Sequence, residues 1–300
     1  MGKATRLKQQ SAREKIAAQR AAEKRAERRR MMLLTGGSTF GVIAVVLVFI
    51  LIYTLNQPSG SAGPASGTAL PASVVSDIKN VPASTFGAVG GGLAFPGQIH
   101  AVAGQQPLTS GGKPEMLYIG AEYCPYCAAM RWSMAVALSR FGEFTTPLKG
   151  ITSSATDVYA KTSTLTFYRT GYSSRYLVFT PVEAENGAQK PLQTPTAAQT
   201  ALWDKVDSSP GSFPFIDIGN KYWLGVIYNP GILGSSATAG VGGSKSWAQI
   251  AAALKDPSSP IARGVVGTAN YLTAAICKTT NNQPASVCTS PAITALQGKL

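Results

Sequence analysis

The chain has 300 residues, of which 45% are hydrophobic and only 14% are charged, so a sizeable buried core and an additional apolar segment are expected. A formal net charge of +13 would ordinarily suggest a nucleic-acid partner, but residues 1–30 alone carry eleven Lys and Arg against three Glu. Because this basic tail directly precedes a hydrophobic run, its charge argues for membrane topology and attraction to anionic lipid, and against RNA binding.

The apolar run at residues 32–55 is long enough to cross a hydrocarbon core of about 30 Å. It lacks the small residues of a cleavage site, which favours an uncleaved anchor over a signal peptide. Arg28, Arg29 and Arg30 before it orient the N-terminus to the cytoplasm. Four segments result: a basic cytoplasmic segment at 1–31, a transmembrane helix at 32–55, a Gly/Ser/Pro-rich linker at 56–72 and an extracytoplasmic domain at 73–300.

Helical and strand patterns alternate within that domain, which predicts an α/β fold with layered helices and strands. The elements expected in chain order are helices at 74–81 and 82–89, a short strand at 98–103, a polar turn at 109–113, a strand at 116–120, an amphipathic helix that runs from Cys127 to Phe141 and ends at Gly142, a strand at 148–153, an extended segment at 168–185, a helix at 196–206, a hairpin of two strands at 213–226, and helices at 246–255 and 261–277.

A Cys-Pro-Tyr-Cys motif, Cys124 to Cys127, lies between the apolar strand at 116–120 and the following helix. A cysteine at a helix N-terminus is favoured as a thiolate by the backbone N–H groups and the helix dipole. Cys127 comes one turn later, within reach of a disulfide. We therefore expect Cys124 to be a partly exposed attacking sulfur and Cys127 to resolve the mixed disulfide.

The motif and its surroundings resemble the thioredoxin superfamily. Tyr123 stands where that family usually has an aromatic residue, and Phe213-Pro214 before an apolar strand is similar to its cis-proline segment. The resemblance implies a thioredoxin-like fold over about residues 97–255 and a cis Pro214 facing the disulfide. Three segments, ITSSATDVY, RYLVFTPVE and FPFIDIGNKY, look like the membrane-anchored family labelled domain of unknown function 929. That second resemblance implies an architecture and not an activity.

Two features depart from the thioredoxin pattern. Tyr118 occupies the position six before Cys124, where many thioredoxins have a buried carboxylate, so proton transfer is unassigned or falls to Glu122. About 86 residues separate Cys127 from Pro214, which indicates an insertion between the motif helix and the cis-proline strand. The expected substrate-binding residues are Tyr123, Pro125, Tyr126 and Phe213.

The second cysteine pair, Cys277 and Cys288, is expected to form a structural disulfide, with a second redox pair as the alternative. A zinc site built from both pairs is disfavoured by their separation, so neither a metal nor a cofactor is predicted. His100 is the only histidine, and we expect it to pack at a strand edge. With one histidine, neither a His-containing triad nor a multi-histidine metal site can form.

The sequence thus favours a single-pass, membrane-anchored thiol–disulfide oxidoreductase that oxidises or isomerises exported proteins. Its expected partners are membrane lipid, exported cysteine-containing proteins, and a membrane redox partner or membrane complex. Two alternatives stay open: a reductase that relays electrons, as in cytochrome maturation, and a non-catalytic thioredoxin-like subunit of a membrane complex. The direction of electron flow distinguishes the reductase from an oxidase or isomerase. The reactivity of the CPYC disulfide distinguishes a catalytic protein from the non-catalytic subunit.

Overall fold

The computed structural model describes residues 67–207, 211–234 and 245–300. The basic segment at 1–31, the predicted transmembrane helix at 32–55 and the linker up to residue 66 lie outside the described residues. Within those described ranges, no helix combines the length and the apolarity needed to cross a membrane.

The described part of the chain contains helices and strands in alternation. The α-helices are α1 (Ala72–Lys79), α2 (Ala83–Val89), α3 (Pro125–Leu138), α4 (Ala197–Val206), α5 (Trp247–Ala253), α6 (Pro260–Thr279), α7 (Ala285–Cys288) and α8 (Pro291–Gln297). The strands are β1 (Thr68–Ala69), β2 (Ile99–Ala101), β3 (Thr109–Ser110), β4 (Lys113–Ala121), β5 (Gly142–Phe144), β6 (Lys149–Thr152), β7 (Ser163–Thr166), β8 (Tyr172–Ser174), β9 (Val178–Glu185), β10 (Phe215–Ile218) and β11 (Tyr222–Leu224).

A six-stranded mixed sheet is built around β4. This strand pairs in parallel with β9 and antiparallel with β10, and the sheet continues from β10 through β11 to β2. β3 pairs with the first two residues of β4. Two smaller sheets, β1-β6-β7 and β5-β8, come mainly from the segment between α3 and β10. The protein therefore has a mixed α/β fold, and four of the five strands outside the six-stranded sheet lie between α3 and β9 in the sequence.

The side chains of β4 alternate between the two faces of the sheet. Met116 and Tyr118 belong to the larger hydrophobic cluster, which also contains the apolar residues of α3 and α6. Leu117 and Ile119 belong to a smaller cluster with Trp203 of α4. Since helices cover both faces, β4 is buried on both sides, as its continuous apolar sequence requires.

Local sequence signals account for several element boundaries. Thr196 and Ser246 open α4 and α5 with complete capping boxes. In each box, the hydroxyl accepts a hydrogen bond from the backbone N–H of the glutamine three residues later, and the side chain of that glutamine accepts one from the backbone N–H of the capping residue. Gly219 and Asn220 both have positive φ, at 66° and 55°, and join β10 to β11. The helix starts at Thr196 and Ser246 and the hairpin are confirmed at the predicted positions.

The helix α3 differs from its prediction in two respects. It ends at Leu138, and Gly142 begins β5 instead of terminating the helix. It is also buried on nearly every side, since Tyr126 alone among its residues is not buried. The amphipathic prediction was wrong because α6 and β7 cover the side of α3 that was expected to face solvent.

Candidate active site

The sulfurs of Cys124 and Cys127 lie at the N-terminus of α3, directly after the central strand β4. Cys124 is the N-cap residue, and its Sγ accepts a hydrogen bond from the backbone N–H of Cys127 at 3.2 Å. Pro125 occupies the first helical position, where the absent N–H would have no intrahelical partner. Both cysteines are free thiols in the structure. Strand and helix together therefore fix the position of the motif.

The two thiols have opposite electrostatic environments. The pKa of Cys124 is lowered, mainly because the hydrogen bond with the Cys127 thiol favours its thiolate, and the Arg131 guanidinium adds to this effect. Burial raises the pKa of Cys127 well above its usual value, and its hydrogen bond with Cys124 acts in the same direction. This arrangement can present Cys124 as a thiolate while Cys127 retains its proton.

The Phe213-Pro214 segment packs against the motif. Its peptide bond is cis, which is the geometry that the thioredoxin resemblance implies, and the Phe213 carbonyl oxygen lies 3.8 Å from Cys124 Sγ. The side chains of Tyr123, Tyr126 and Phe213 pack around the sulfurs and are themselves partly exposed. Cys124 is only 5% exposed, so the prediction of a partly exposed sulfur overstated its accessibility. The three aromatic rings form a rim around the two sulfurs.

The loop between β6 and β7, which includes most of the segment ITSSATDVY, also borders the motif. The Ser154 backbone N–H donates to the Tyr123 carbonyl at 2.8 Å, and the ring of Tyr159 meets Tyr126 edge to face at a centroid distance of 6.1 Å. Tyr159 has a φ of 53°, which is uncommon for a residue other than glycine. The loop between β6 and β7 therefore extends the aromatic rim.

A buried ion pair lies one helical turn beyond Cys127. Arg131 donates to the Glu183 carboxylate from Nε at 2.9 Å and from Nη2 at 2.6 Å, and both side chains are fully buried. Nη2 also donates to the carbonyl of Ala121 at 2.7 Å, which braces the turn before Cys124. Burial alone would lower the pKa of Arg131, but the Glu183 carboxylate together with Tyr118 and Cys127 outweighs burial and raises that pKa. Sequence reasoning missed this pair, although a single charged residue in an otherwise apolar helix was a usable signal.

Tyr118 fills the place where thioredoxins often have a carboxylate. Its side chain is fully buried, and its hydroxyl has no hydrogen-bond partner in the described part of the chain. The Arg131 guanidinium lies 5.9 Å from the centre of its ring. Burial raises the pKa of Tyr118 well above its usual value, so the hydroxyl stays protonated at neutral pH. The tyrosine therefore supplies no negative charge beside the sulfurs.

Glu122, the expected proton-transfer residue, is buried and faces a separate cleft. Its Oε1 accepts a hydrogen bond from Thr166 at 2.7 Å, and Oε2 has no partner among the described residues. Burial raises the pKa of this carboxyl group. The cleft, about 460 Å³ in volume, is also lined by Thr152, Gly187 and Trp247. The geometry thus joins Glu122 to Thr166, and proton transfer between Glu122 and the cysteines stays a prediction.

The remaining candidate residues lie away from the CPYC motif. Cys277 at the end of α6 and Cys288 in α7 form a disulfide, so these sulfurs are not available for a four-cysteine zinc site. His100 lies on the edge strand β2 and stacks on Trp223 at 4.5 Å. Within residues 67–207, 211–234 and 245–300, no group of three or more His, Cys, Asp or Glu is placed to hold a metal ion.

One family model matches part of this chain. The model of a domain of unknown function, DUF929, matches residues 100–208, which confirms the resemblance to that family over this segment. The match includes the CPYC motif and the Arg131–Glu183 pair and stops before Phe213-Pro214. Neither a curated protein nor a solved structure matches the chain. This match therefore concerns a segment of the chain and names no activity.

Proposed function

We propose that the protein is a membrane-anchored, extracytoplasmic thiol–disulfide oxidoreductase that oxidises or isomerises the cysteines of exported proteins. The main support for this proposal is the position of Cys124 Sγ at the N-terminus of α3. There the sulfur accepts a hydrogen bond from the Cys127 N–H, and the pKa of the Cys124 thiol is lowered. Such a sulfur reacts as a thiolate and is also a good leaving group. The anchor and the extracytoplasmic side follow from the sequence at residues 1–55.

The sheet order supports a thioredoxin-like fold. The strand before the motif, β4, has a parallel neighbour in β9 and an antiparallel neighbour in β10, the strand that follows the cis-proline. β11 then pairs with β10 as a hairpin. This is the arrangement that the resemblance implies, with β5 to β8 inserted between α3 and β9. It brings the carbonyl of Phe213, the residue before the cis-proline, to Cys124 although the two residues are 89 positions apart in the sequence.

The oxidising reaction uses the disulfide form of the motif. A client thiolate bonds to Cys124 Sγ, the Cys124–Cys127 bond breaks, and Cys127 leaves and takes up a proton, as its raised pKa favours. A second client thiolate then attacks the first client sulfur and releases Cys124 as a thiolate. Two electrons pass from the client dithiol to the motif, and the client gains a disulfide. Isomerisation uses the same mixed disulfide with no net electron transfer.

The electrostatics favour the oxidising direction. Stabilising the Cys124 thiolate stabilises the reduced form of the motif, which makes its disulfide the stronger oxidant. We therefore expect a reduction potential nearer to about −120 to −180 mV than to the value of about −270 mV typical of reducing thioredoxins. A value near the latter would favour the electron-relaying reductase.

The proposal is tested with the full chain in phosphatidylcholine nanodiscs. The oxidised protein is mixed with a reduced two-cysteine peptide, with oxidised glutathione present to regenerate the motif, and peptide oxidation is followed over time. Cys124→Ser should abolish the catalysed rate, whereas a Cys277→Ala/Cys288→Ala double variant should retain it. Cys127→Ser should accumulate a mixed disulfide with a peptide that has a single cysteine, because neither Cys127 nor a second peptide thiol is then present to resolve it.

Two results would overturn the proposal. A Cys124→Ser protein as active as the parent would show that Cys124 is not the nucleophile. A CPYC disulfide that resists reductant in the folded protein, together with stoichiometric co-purification with a large membrane assembly, would support the non-catalytic subunit.

A further inference from the structure

A second cleft lies at the opposite end of α3 from the CPYC motif. Fourteen helical residues separate the two ends, which corresponds to about 20 Å along the axis. The cleft has a volume of about 550 Å³ and is lined by Arg140, by Phe86 and Gly87 of α2, and by Val287 and Ser290 near α7 and α8. We call it the Arg140 cleft. Its volume is in the range of small-molecule sites in proteins.

The Arg140 guanidinium is held rigidly in this cleft. Its Nη1 donates to Asn270 Oδ1 at 3.3 Å and to Thr273 Oγ1 at 3.2 Å, both on α6. Asn270 is itself fixed, because its Nδ2 donates to the carbonyls of Phe86 and Gly90. The guanidinium carbon lies 4.1 Å from the centre of the Phe86 ring, at stacking distance. The charged group is thus positioned from two sides before any ligand arrives.

The positive charge of Arg140 has no negative partner in the described part of the chain. The two ion pairs found there involve Arg131 with Glu183 and Lys255 with Asp77. Burial lowers the pKa of Arg140 to about 10, and no carboxylate counters this effect. Guanidinium groups have five N–H donors, and Nε and Nη2 of Arg140 have no protein acceptor among the described residues. A partly buried cation with free donors is stabilised by a bound anion.

The rest of the lining is largely apolar. Phe86 and Val287 contribute hydrophobic surface, and the Ser290 hydroxyl is bonded to the Val287 carbonyl at 2.8 Å. An inorganic anion would leave this surface uncovered. We propose that the Arg140 cleft binds a small amphiphilic anion, whose carboxylate or phosphate pairs with the guanidinium of Arg140 while its apolar chain lies against Phe86 and Val287. A free metabolite and a bilayer lipid could both supply this chemistry.

The test uses calorimetric titration of the full chain in phosphatidylcholine nanodiscs, with empty nanodiscs subtracted. The probes are hexyl phosphate, inorganic phosphate, hexanol and hexyltrimethylammonium. Hexyl phosphate should bind saturably and at least tenfold more tightly than each of the other three, because only it satisfies both the cation and the apolar wall. Equal or absent binding of all four probes would overturn the proposal.

Two variants separate binding from folding. Arg140→Gln should weaken hexyl phosphate binding at least tenfold, as expected for loss of a charge-assisted hydrogen bond. Gly87→Leu should do the same by filling the cleft, since a Cβ at Gly87 meets nothing within 4 Å and leucine is the better helix former. Gly87→Leu decides the question even if Arg140→Gln does not fold.

Matched controls are available elsewhere on the surface. Arg169→Gln removes an exposed arginine that stacks on Tyr168, and Gly97→Leu adds a side chain at another glycine with open space. Both should leave hexyl phosphate affinity unchanged. If Arg140→Gln and Gly87→Leu bind as tightly as the parent, the assignment is wrong.

The source of the ligand is resolved by changing the bilayer. Weaker hexyl phosphate binding in nanodiscs that contain phosphatidylglycerol would support the cleft and identify a bilayer lipid as its ligand. Unchanged affinity in the same nanodiscs would support the cleft as a site for a free amphiphile.

Discussion

The buried Arg131–Glu183 pair gives the most demanding test of the site. Glu183→Gln keeps the shape of the side chain and removes its charge, so the Arg131 cation stays buried without a counter-charge. The carboxylate now accepts bonds from Arg131 at 2.9 and 2.6 Å and from the Phe167 N–H at 3.0 Å. In one orientation of the glutamine amide, its NH2 group faces Nη2 of Arg131. In the other orientation, the NH2 group faces Nε of Arg131, and the Phe167 N–H loses its acceptor.

The expected loss of stability follows from the burial of both partners. Breaking one partner of a fully buried ion pair typically costs about 3–5 kcal/mol. Glutamine retains one carbonyl acceptor, so we expect the lower end, about 3 kcal/mol. The pKa of Cys124 should also fall further, because the Arg131 charge that already lowers it would no longer be balanced by Glu183.

Urea unfolding followed by tryptophan fluorescence measures the first effect, and titration of the thiolate ultraviolet absorbance measures the second. Glu185→Gln is the matched control, since Glu185 is on the same strand and belongs to neither of the ion pairs in the described residues. An Arg131→Met/Glu183→Leu double variant should regain much of the lost stability. A loss for Glu183→Gln no larger than for Glu185→Gln would refute the reasoning.

Two further predictions concern stability. Burial raises the pKa of Asp217 to about 7 in the folded protein, so the folded state favours the protonated carboxyl group. The resulting contribution to the unfolding free energy is complete below about pH 4, where the unfolded state is protonated as well, and it is lost as the pH rises to 7. The unfolding free energy from urea titrations should decline between pH 4 and 8 by up to about 1.4 kcal/mol per pH unit, and Asp217→Asn should flatten this decline; an identical profile in the variant would contradict it. Removing the Cys277–Cys288 disulfide, which spans 11 residues, should lower the unfolding free energy by about 2–4 kcal/mol. Peptide oxidation at the CPYC motif should continue, and an unchanged urea midpoint would contradict the structural role of this disulfide.

The elements that sequence reasoning predicted correctly are those set by local chemistry. The hairpin between β10 and β11 depends on Gly219-Asn220, whose positive φ values glycine and asparagine tolerate. Thr196 and Ser246 satisfy orphan N–H groups within their own first helical turn. Cys124 at the start of α3 follows in the same way from an apolar strand, a proline and a helical apolar run.

The incorrect or missing predictions depend on contacts between distant segments. The strand β7 has the mostly polar sequence Ser163–Thr166 and gave no strand signal, yet all four residues are buried. Its polar groups are satisfied by α3 and α5: Thr164 Oγ1 donates to the Ala128 carbonyl, and Trp247 Nε1 donates to the Thr164 carbonyl. No periodicity within four residues contains that information.

By itself, the sequence determined that a CPYC motif occupies a helix N-terminus behind a central strand, because propensity, capping and turn chemistry act over a few residues. Only the tertiary structure decided that Cys124 is nearly enclosed by aromatic rings, that Arg131 meets Glu183 beneath it, and that Arg140 lines a cleft without a counter-charge. The contacts of Cys124 with Phe213, of Arg131 with Glu183 and of Arg140 with Asn270 join residues 89, 52 and 130 positions apart. The free energy of a buried charge is set by whichever groups the fold brings next to it.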